Sequence, residues 1–208
     1  ADTHVPARPG ASHTMGGMEH ERLHPYVVTP PYLIRTFMPD ASPAAIAVTL
    51  PDSVSYCWDA GTCRLRYAWK GKFLAHMDIW KRKGDETAIV AGRVFFRDNT
   101  PYPFLIGKDN TAPQVRFSGY RMVDRYPEFH YRMGDVDVCE LIRPAADGAG
   151  LERQFRMTGV KETIWFLKGS AKDVDIRASA GRWEGDRLAL TPAEAAAFTI
   201  TITEKTTL

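Results

Sequence analysis

Apolar and polar residues alternate with a period of two along most of the chain from Tyr32 onward, which is the pattern of half-buried strands. Leu151, Arg153, Phe155 and Met157 fall on one face of a predicted strand, and Phe198, Ile200 and Ile202 alternate with threonines in another. Further strands are predicted at 44–50, 54–58, 64–69, 87–97, 115–123, 163–167 and 174–178, from their β-branched and aromatic content. Glu128–Met133 and Val136–Ile142 flank Gly134-Asp135. Glycine at the first turn position predicts a two-residue type II′ hairpin, with Phe129, Tyr131 and Met133 on one face and His130 and Arg132 on the other. A second turn is predicted at Gly185-Asp186. Helix is confined to 191–197, where Thr191 caps, Pro192 opens the first turn and Glu194 follows. Ten or more short strands with frequent turns predict an all-β fold, an antiparallel β-sandwich with a jelly roll as one version of it.

Residues 1–31 break the pattern. They hold five prolines, three glycines and four of the six histidines, without apolar periodicity. The expectation is an extended N-terminal arm at 1–31 and one β-sandwich domain at 32–208. Such an arm cannot offset its ordering entropy alone, so it should be ordered only by contact. Tyr26, Val27, Val28, Tyr32 and Leu33 are the apolar residues near its end and the expected partner-binding positions.

Composition changes this picture little. The 208 residues are 44% hydrophobic and 25% charged, as in an average globular chain. The 27 basic and 25 acidic residues nearly cancel, which excludes the electrostatic footprint of a nucleic-acid binder. No apolar run approaches a membrane span. The chain opens on Ala1-Asp2-Thr3, which reads as the product of signal-peptide removal and predicts a periplasmic or extracellular protein.

Three cysteines are present. A three-residue loop at Asp59-Ala60-Gly61 sets Cys57 opposite Cys63 and predicts a disulfide between them. That also favours an oxidising compartment. Their spacing does not suit zinc. Cys139 is read as a small core residue.

The stretches Arg35-Thr36-Phe37-Met38-Pro39-Asp40-Ala41-Ser42-Pro43-Ala44-Ala45-Ile46-Ala47-Val48 and Tyr56-Cys57-Trp58-Asp59-Ala60-Gly61-Thr62-Cys63-Arg64-Leu65-Arg66-Tyr67-Ala68-Trp69 resemble an exported β-rich module. So do Phe117-Ser118-Gly119-Tyr120-Arg121, Pro127-Glu128-Phe129-His130-Tyr131 and Gly181-Arg182-Trp183-Glu184-Gly185. That module occurs in bacteria beside, or fused to, c-type cytochrome domains and sugar-dehydrogenase-like propellers. The resemblance covers roughly 32–204 and carries over no catalytic residues. It implies an exported setting near redox proteins.

Three constellations carry chemistry. His13, Met15, Met18 and His20 combine imidazole and thioether with flexible glycines, a donor set for copper. Asp124, Glu128, His130 and Arg132 cluster near a strand start, a face for anion binding or acid–base work that reads equally as a solvated strand face. Trp58, Trp69, Trp80, Trp165 and Trp183 are candidates for a sugar platform, with most assigned to the core. No nucleophile elbow, phosphate loop, dinucleotide fingerprint or zincin motif occurs. The expectation is therefore a non-catalytic, exported accessory subunit or binding module. It would dock on a protein partner, a c-type cytochrome or a larger membrane-associated redox complex, with no cofactor of its own. A carbohydrate-binding or carbohydrate-active sandwich and a periplasmic copper-binding protein are the alternatives.

Overall fold

The structure is a computed structural model that describes residues 28–75, 87–108, 112–169 and 172–205. Five strands form the first sheet in chain order: β1 (Tyr32–Arg35), β2 (Ala45–Thr49), β3 (Val54–Asp59), β4 (Arg64–Leu74) and β5 (Val90–Arg97). Each pairs antiparallel with the next, making a meander. The second sheet holds β7 (Val115–Val123), β8 (Tyr126–Met133), β9 (Val136–Pro144), β10 (Gly150–Thr158), β12 (Val174–Ala178) and β15 (Phe198–Glu204), in the spatial order β12-β15-β10-β9-β8-β7. A smaller sheet, ordered β13-β14-β11-β6, contains β6 (Phe104–Ile106), β11 (Ile164–Leu167), β13 (Arg182–Glu184) and β14 (Arg187–Leu190). The protein is an all-β sandwich of antiparallel sheets.

Alternation explains how the layers meet. Val48, Tyr56 and Trp58 from the first sheet, Phe129, Phe155 and Ile200 from the second, and Phe104, Ile164 and Leu188 from the third share one core. Aromatic stacking fills its centre: Trp58 lies parallel to Phe129 at 4.1 Å between ring centroids, and Phe155 to Phe198 at 4.9 Å. The other face of the first sheet carries a second cluster of Met38, Ala47, Cys57, Tyr67, Trp69 and Phe73.

The local signals produce the expected turns. Met133 pairs with Val136 across Gly134-Asp135, and Gly134 takes φ +56°. Helix α1 (Pro192–Ala195) opens on a full capping box, Thr191 accepting from the Glu194 amide and Glu194 from the Thr191 amide.

The cysteine hairpin differs from expectation. Strand β3 continues through Asp59, which pairs with Arg64, so the connection is the four residues 60–63. Cys57 then faces Tyr67, and a bulge follows at Trp58. Cys57 packs in the outer cluster and Cys63 in the main core, on opposite sides of the sheet. Both are free thiols, and the predicted disulfide is corrected accordingly. The cause is Asp59, whose carboxylate accepts from the Gly61 amide at 2.9 Å and the Ser42 amide at 2.9 Å. It organises the turn around a segment seventeen residues upstream. Gly61 is not left-handed; it is needed because a Cβ there would overlap Ser42 Oγ, and Cys63 takes the positive φ of +50° instead. The compartment argument loses the support it drew from that disulfide.

The core also encloses an ion pair. Glu140 and Arg153 are 0% and 2% exposed, and Arg153 Nε donates to Glu140 Oε1 at 2.7 Å. Trp58 Nε1 donates to Glu140 Oε2 at 3.1 Å, and the Tyr131 hydroxyl to the same oxygen at 3.3 Å. Changing Arg153→Met leaves a buried unpaired carboxylate and should cost about 3–5 kcal/mol. The pair Arg153→Met with Glu140→Leu should cost clearly less than the sum of the two single changes. Urea denaturation of the four proteins reads the coupling; strict additivity would contradict it.

Candidate functional site

Because Phe129, Tyr131 and Met133 of β8 point into the core, Glu128, His130 and Arg132 point outward. On β9 the same alternation sends Val138 and Ile142 inward and Cys139 outward. Two cross-strand rows result. His130 pairs with Cys139, which pairs with Arg156 of β10. Arg121 of β7 pairs with Glu128, which pairs with Leu141.

Glu128 is the hub of this face. Its Oε1 accepts from Arg121 Nε at 2.7 Å and stands 2.8 Å from His130 Nε2. Its Oε2 accepts from Arg156 Nη2 at 2.7 Å. The Glu128 side chain is 5% exposed, whereas those of Arg121 and Arg156 are more than half exposed and fold over it. Burial alone would push the Glu128 pKa up. The bonds from Arg121 and His130 and the charge of Arg156 outweigh it and hold the carboxyl below its ordinary value. Donor atoms of Glu128, His130 and Cys139 all lie within 4.8 Å of one another. Opposite His130 stands Gly119, at φ +137° with open space where a side chain would be.

Of the acid–base face expected from the sequence, only Glu128 and His130 come together. Arg132 pairs instead with Asp137 at 3.2 Å and approaches Asp135 at 3.8 Å, and Asp124 pairs with Arg143 at 2.8 Å. Arg121, Arg156 and Cys139 were not foreseen as their companions. Cys139 is half-buried on the outer face, which corrects its assignment to the core. Counting back from the Gly134-Asp135 turn places it opposite His130, a signal already present in the sequence.

The remaining candidates fall elsewhere. His13, Met15, Met18 and His20, with Tyr26, Val27 and Trp80, lie outside the described residues. Val28 and Tyr32 pack on the outer cluster and Leu33 on the main core, so these expected partner contacts serve the fold itself. Trp58 and Trp69 are fully buried. Trp165 Nε1 donates to the Gly107 carbonyl at 2.8 Å, and Trp183 packs edge-on to Phe166. Among the described residues no strip of exposed tryptophans forms.

Strand β7 presents a different surface. It is the last strand of its sheet, and among the described residues it pairs only with β8. Tyr120 and Met122 on it are 39% and 49% exposed. Comparison with protein-family models, curated proteins and solved structures finds no match.

Two outcomes follow from this chemistry. Burial pushes the Cys57 and Cys63 thiols up to about 12. Iodoacetamide should therefore alkylate Cys139 in the native protein and the other two only after unfolding, as read by peptide mass spectrometry. Glu128, with its folded pKa below the unfolded value, contributes stability that is present above the ordinary carboxylate range and lost as the pH falls through the folded pKa. Stability of the native protein should thus fall below about pH 4.5 more steeply than that of Glu128→Gln, in denaturant melts run from pH 7 to 3.

Proposed function

We propose that this chain is a non-catalytic binding module that docks on a partner protein, within an electron-transfer assembly. The observation that carries the docking reading is the β7 edge. Nine residues of strand, about 30 Å long, offer backbone groups that are unpaired among the described residues, beside exposed Tyr120 and Met122. Natural sheets ordinarily blunt such an edge with proline, charge or a bulge, because it accepts a strand from another chain. Here there is no proline within the strand, its charged residues are Arg116 and Arg121, and the bulge at Ser118 leaves residues 119–123 as a regular stretch of edge. Arg121 is turned onto Glu128. An added strand would gain main-chain hydrogen bonds from the edge and side-chain contact from Tyr120 and Met122.

The chemistry of the acids supports the non-catalytic part. Glu128 is held ionised by two arginines and so is not poised to exchange a proton near neutral pH, and Glu140 is sealed in the core out of reach of a substrate. The electron-transfer setting rests on the resemblance of Arg35–Val48 and Tyr56–Trp69 to the cytochrome-associated module.

The test is retention of a tagged chain in its native complex. Tyr120→Ser with Met122→Ser should leave the chain folded and lower its stability by about 1–3 kcal/mol, through loss of the Tyr120–Phe129 contact and partly covered apolar surface. It should reduce the partner recovered after cross-linking about tenfold or more, which corresponds to ~1.4 kcal/mol of binding. Haem absorbance in the recovered fraction reads the partner class. Unchanged recovery would overturn docking through β7, and a recovered partner without haem would overturn the electron-transfer setting.

A further inference from the structure

The Glu128–His130–Cys139 group holds two donors that the ion pairs leave uncommitted. Glu128 is spent on Arg121, Arg156 and His130. His130 Nε2 stands 2.8 Å from Glu128 Oε1, and the tautomer that donates Nε2–H to that carboxylate leaves a lone pair on Nδ1. A ring nitrogen that donates to a carboxylate while its partner nitrogen binds metal is the recurrent arrangement of metal-ligating histidines. Cys139 stands directly across the strand pair from His130, half-buried, whereas Cys57 and Cys63 are sealed in the interior. Gly119, on the other side of His130, leaves the approach open among the described residues.

We propose that His130 and Cys139 form a binding site for a soft monovalent cation, Cu(I), with Glu128 as the positioning residue that orients the imidazole. Three considerations select this ion. Sulfur with imidazole is a soft donor pair, unsuited to calcium or magnesium. Zinc takes four ligands, and with the carboxylate committed the described residues supply two side chains here. Charge decides further. Cu(I) with one thiolate is neutral, so it adds no repulsion to the two guanidiniums beside it. A divalent ion would leave a net positive charge there. Binding replaces the thiol proton of Cys139 by the metal and releases that proton to solvent, with no change of oxidation state.

The site is rigid where rigidity matters. His130 and Cys139 sit at mid-strand on β8 and β9, whose hairpin register is pinned by Gly134-Asp135 on one side and by the Phe129 and Tyr131 core contacts on the other. It uses none of the copper donors foreseen in the arm, so substitution tells the two apart.

The experiment titrates the purified full-length chain with Cu(I), anaerobically and against a chromophoric Cu(I) chelator. The background carries His13→Ala, Met15→Ala, Met18→Ala and His20→Ala. One equivalent should be held, and Cys139→Ser or His130→Gln should each weaken it more than tenfold. Glu128→Gln should weaken it roughly 10-fold or more while leaving one equivalent bound. Bound Cu(I) should also protect Cys139 from iodoacetamide in the unsubstituted chain, a readout that needs no variant to fold. Failure of the arm-substituted chain to compete for Cu(I), unchanged binding in Cys139→Ser, or Zn²⁺ held as tightly as Cu(I) would each overturn the proposal. None of these results bears on docking through β7.

Discussion

The sandwich is organised around a charge that the core cannot leave unpaired. Glu140 sits at mid-strand between Phe129 and Phe155, its register neighbours on β8 and β10, where apolar residues surround it on both sides. A carboxylate there is tolerated only if its oxygens are satisfied. Arg153 and Tyr131 satisfy it from within the same sheet, but Trp58 does so from the sheet opposite. The indole therefore has to meet Glu140 in one orientation. That same orientation stacks it flat on Phe129. Apolar packing fixes the two sheets by shape, and the hydrogen bond adds a directional constraint to it. The Trp58–Glu140 bond ties the relative placement of the sheets to the satisfaction of a buried charge, a role in specificity more than in net stability. Burial beside Glu140 also drives the Tyr56 and Tyr131 hydroxyls well above their ordinary pKa, so both phenols keep their protons at any moderate pH.

The outer face of the second sheet repeats the device with exposure reversed. Glu128 is buried not by the opposite sheet but by the arginines that bind it, Arg121 and Arg156 lying over the carboxylate with their own side chains largely in water. Long side chains with charged ends can do this on an open strand face where shorter ones cannot. The consequence is a fixed imidazole: His130 is held by a group that is itself held from β7 on one side and from β10, beyond β9, on the other. The same neighbourhood decides the identities of the three cysteines. Two are packing residues in separate clusters, and the third lies in a row between an imidazole and a guanidinium.

Much of this was legible in the sequence, and the exceptions have a common cause. Strand existence followed from alternation, the β8–β9 hairpin from Gly134-Asp135, and the helix start from Thr191 and Glu194, all of them local signals. The period of two through Val136, Val138, Glu140 and Ile142 also puts Glu140 inside and Cys139 outside. Cysteine's apolar reputation obscured the second placement, which periodicity alone would have settled. The β3–β4 hairpin was misread because its turn obeys Ser42 through Asp59, a contact that no reading of residues 54–67 in isolation contains. The Glu128 hub needed pairing across four strands, and only its β8–β9 register was available from a short turn. Arg121 and Arg156 arrive from β7 and β10, whose registers depend on a bulge near Ser118 and on the five-residue connection at 145–149.

The two outward features of the second sheet, its β7 edge and its His130–Cys139 row, are adjacent for a structural reason. Gly119 belongs to both. Its φ of +137° lies in a region that L side chains rarely adopt, so the bulge that contains it demands glycine. The bulge turns the edge strand so that Phe117 still reaches Trp58 in the core while Tyr120, three residues on, packs edge-on to Phe129 and remains partly in solvent. Without the extra residue, strict alternation would put Phe117 and Tyr120 on opposite faces. The missing side chain at the same position leaves His130 open on its β7 flank. One irregular residue thus lets two apolar contacts reach the core from an edge strand, and it simultaneously keeps a path to the imidazole clear.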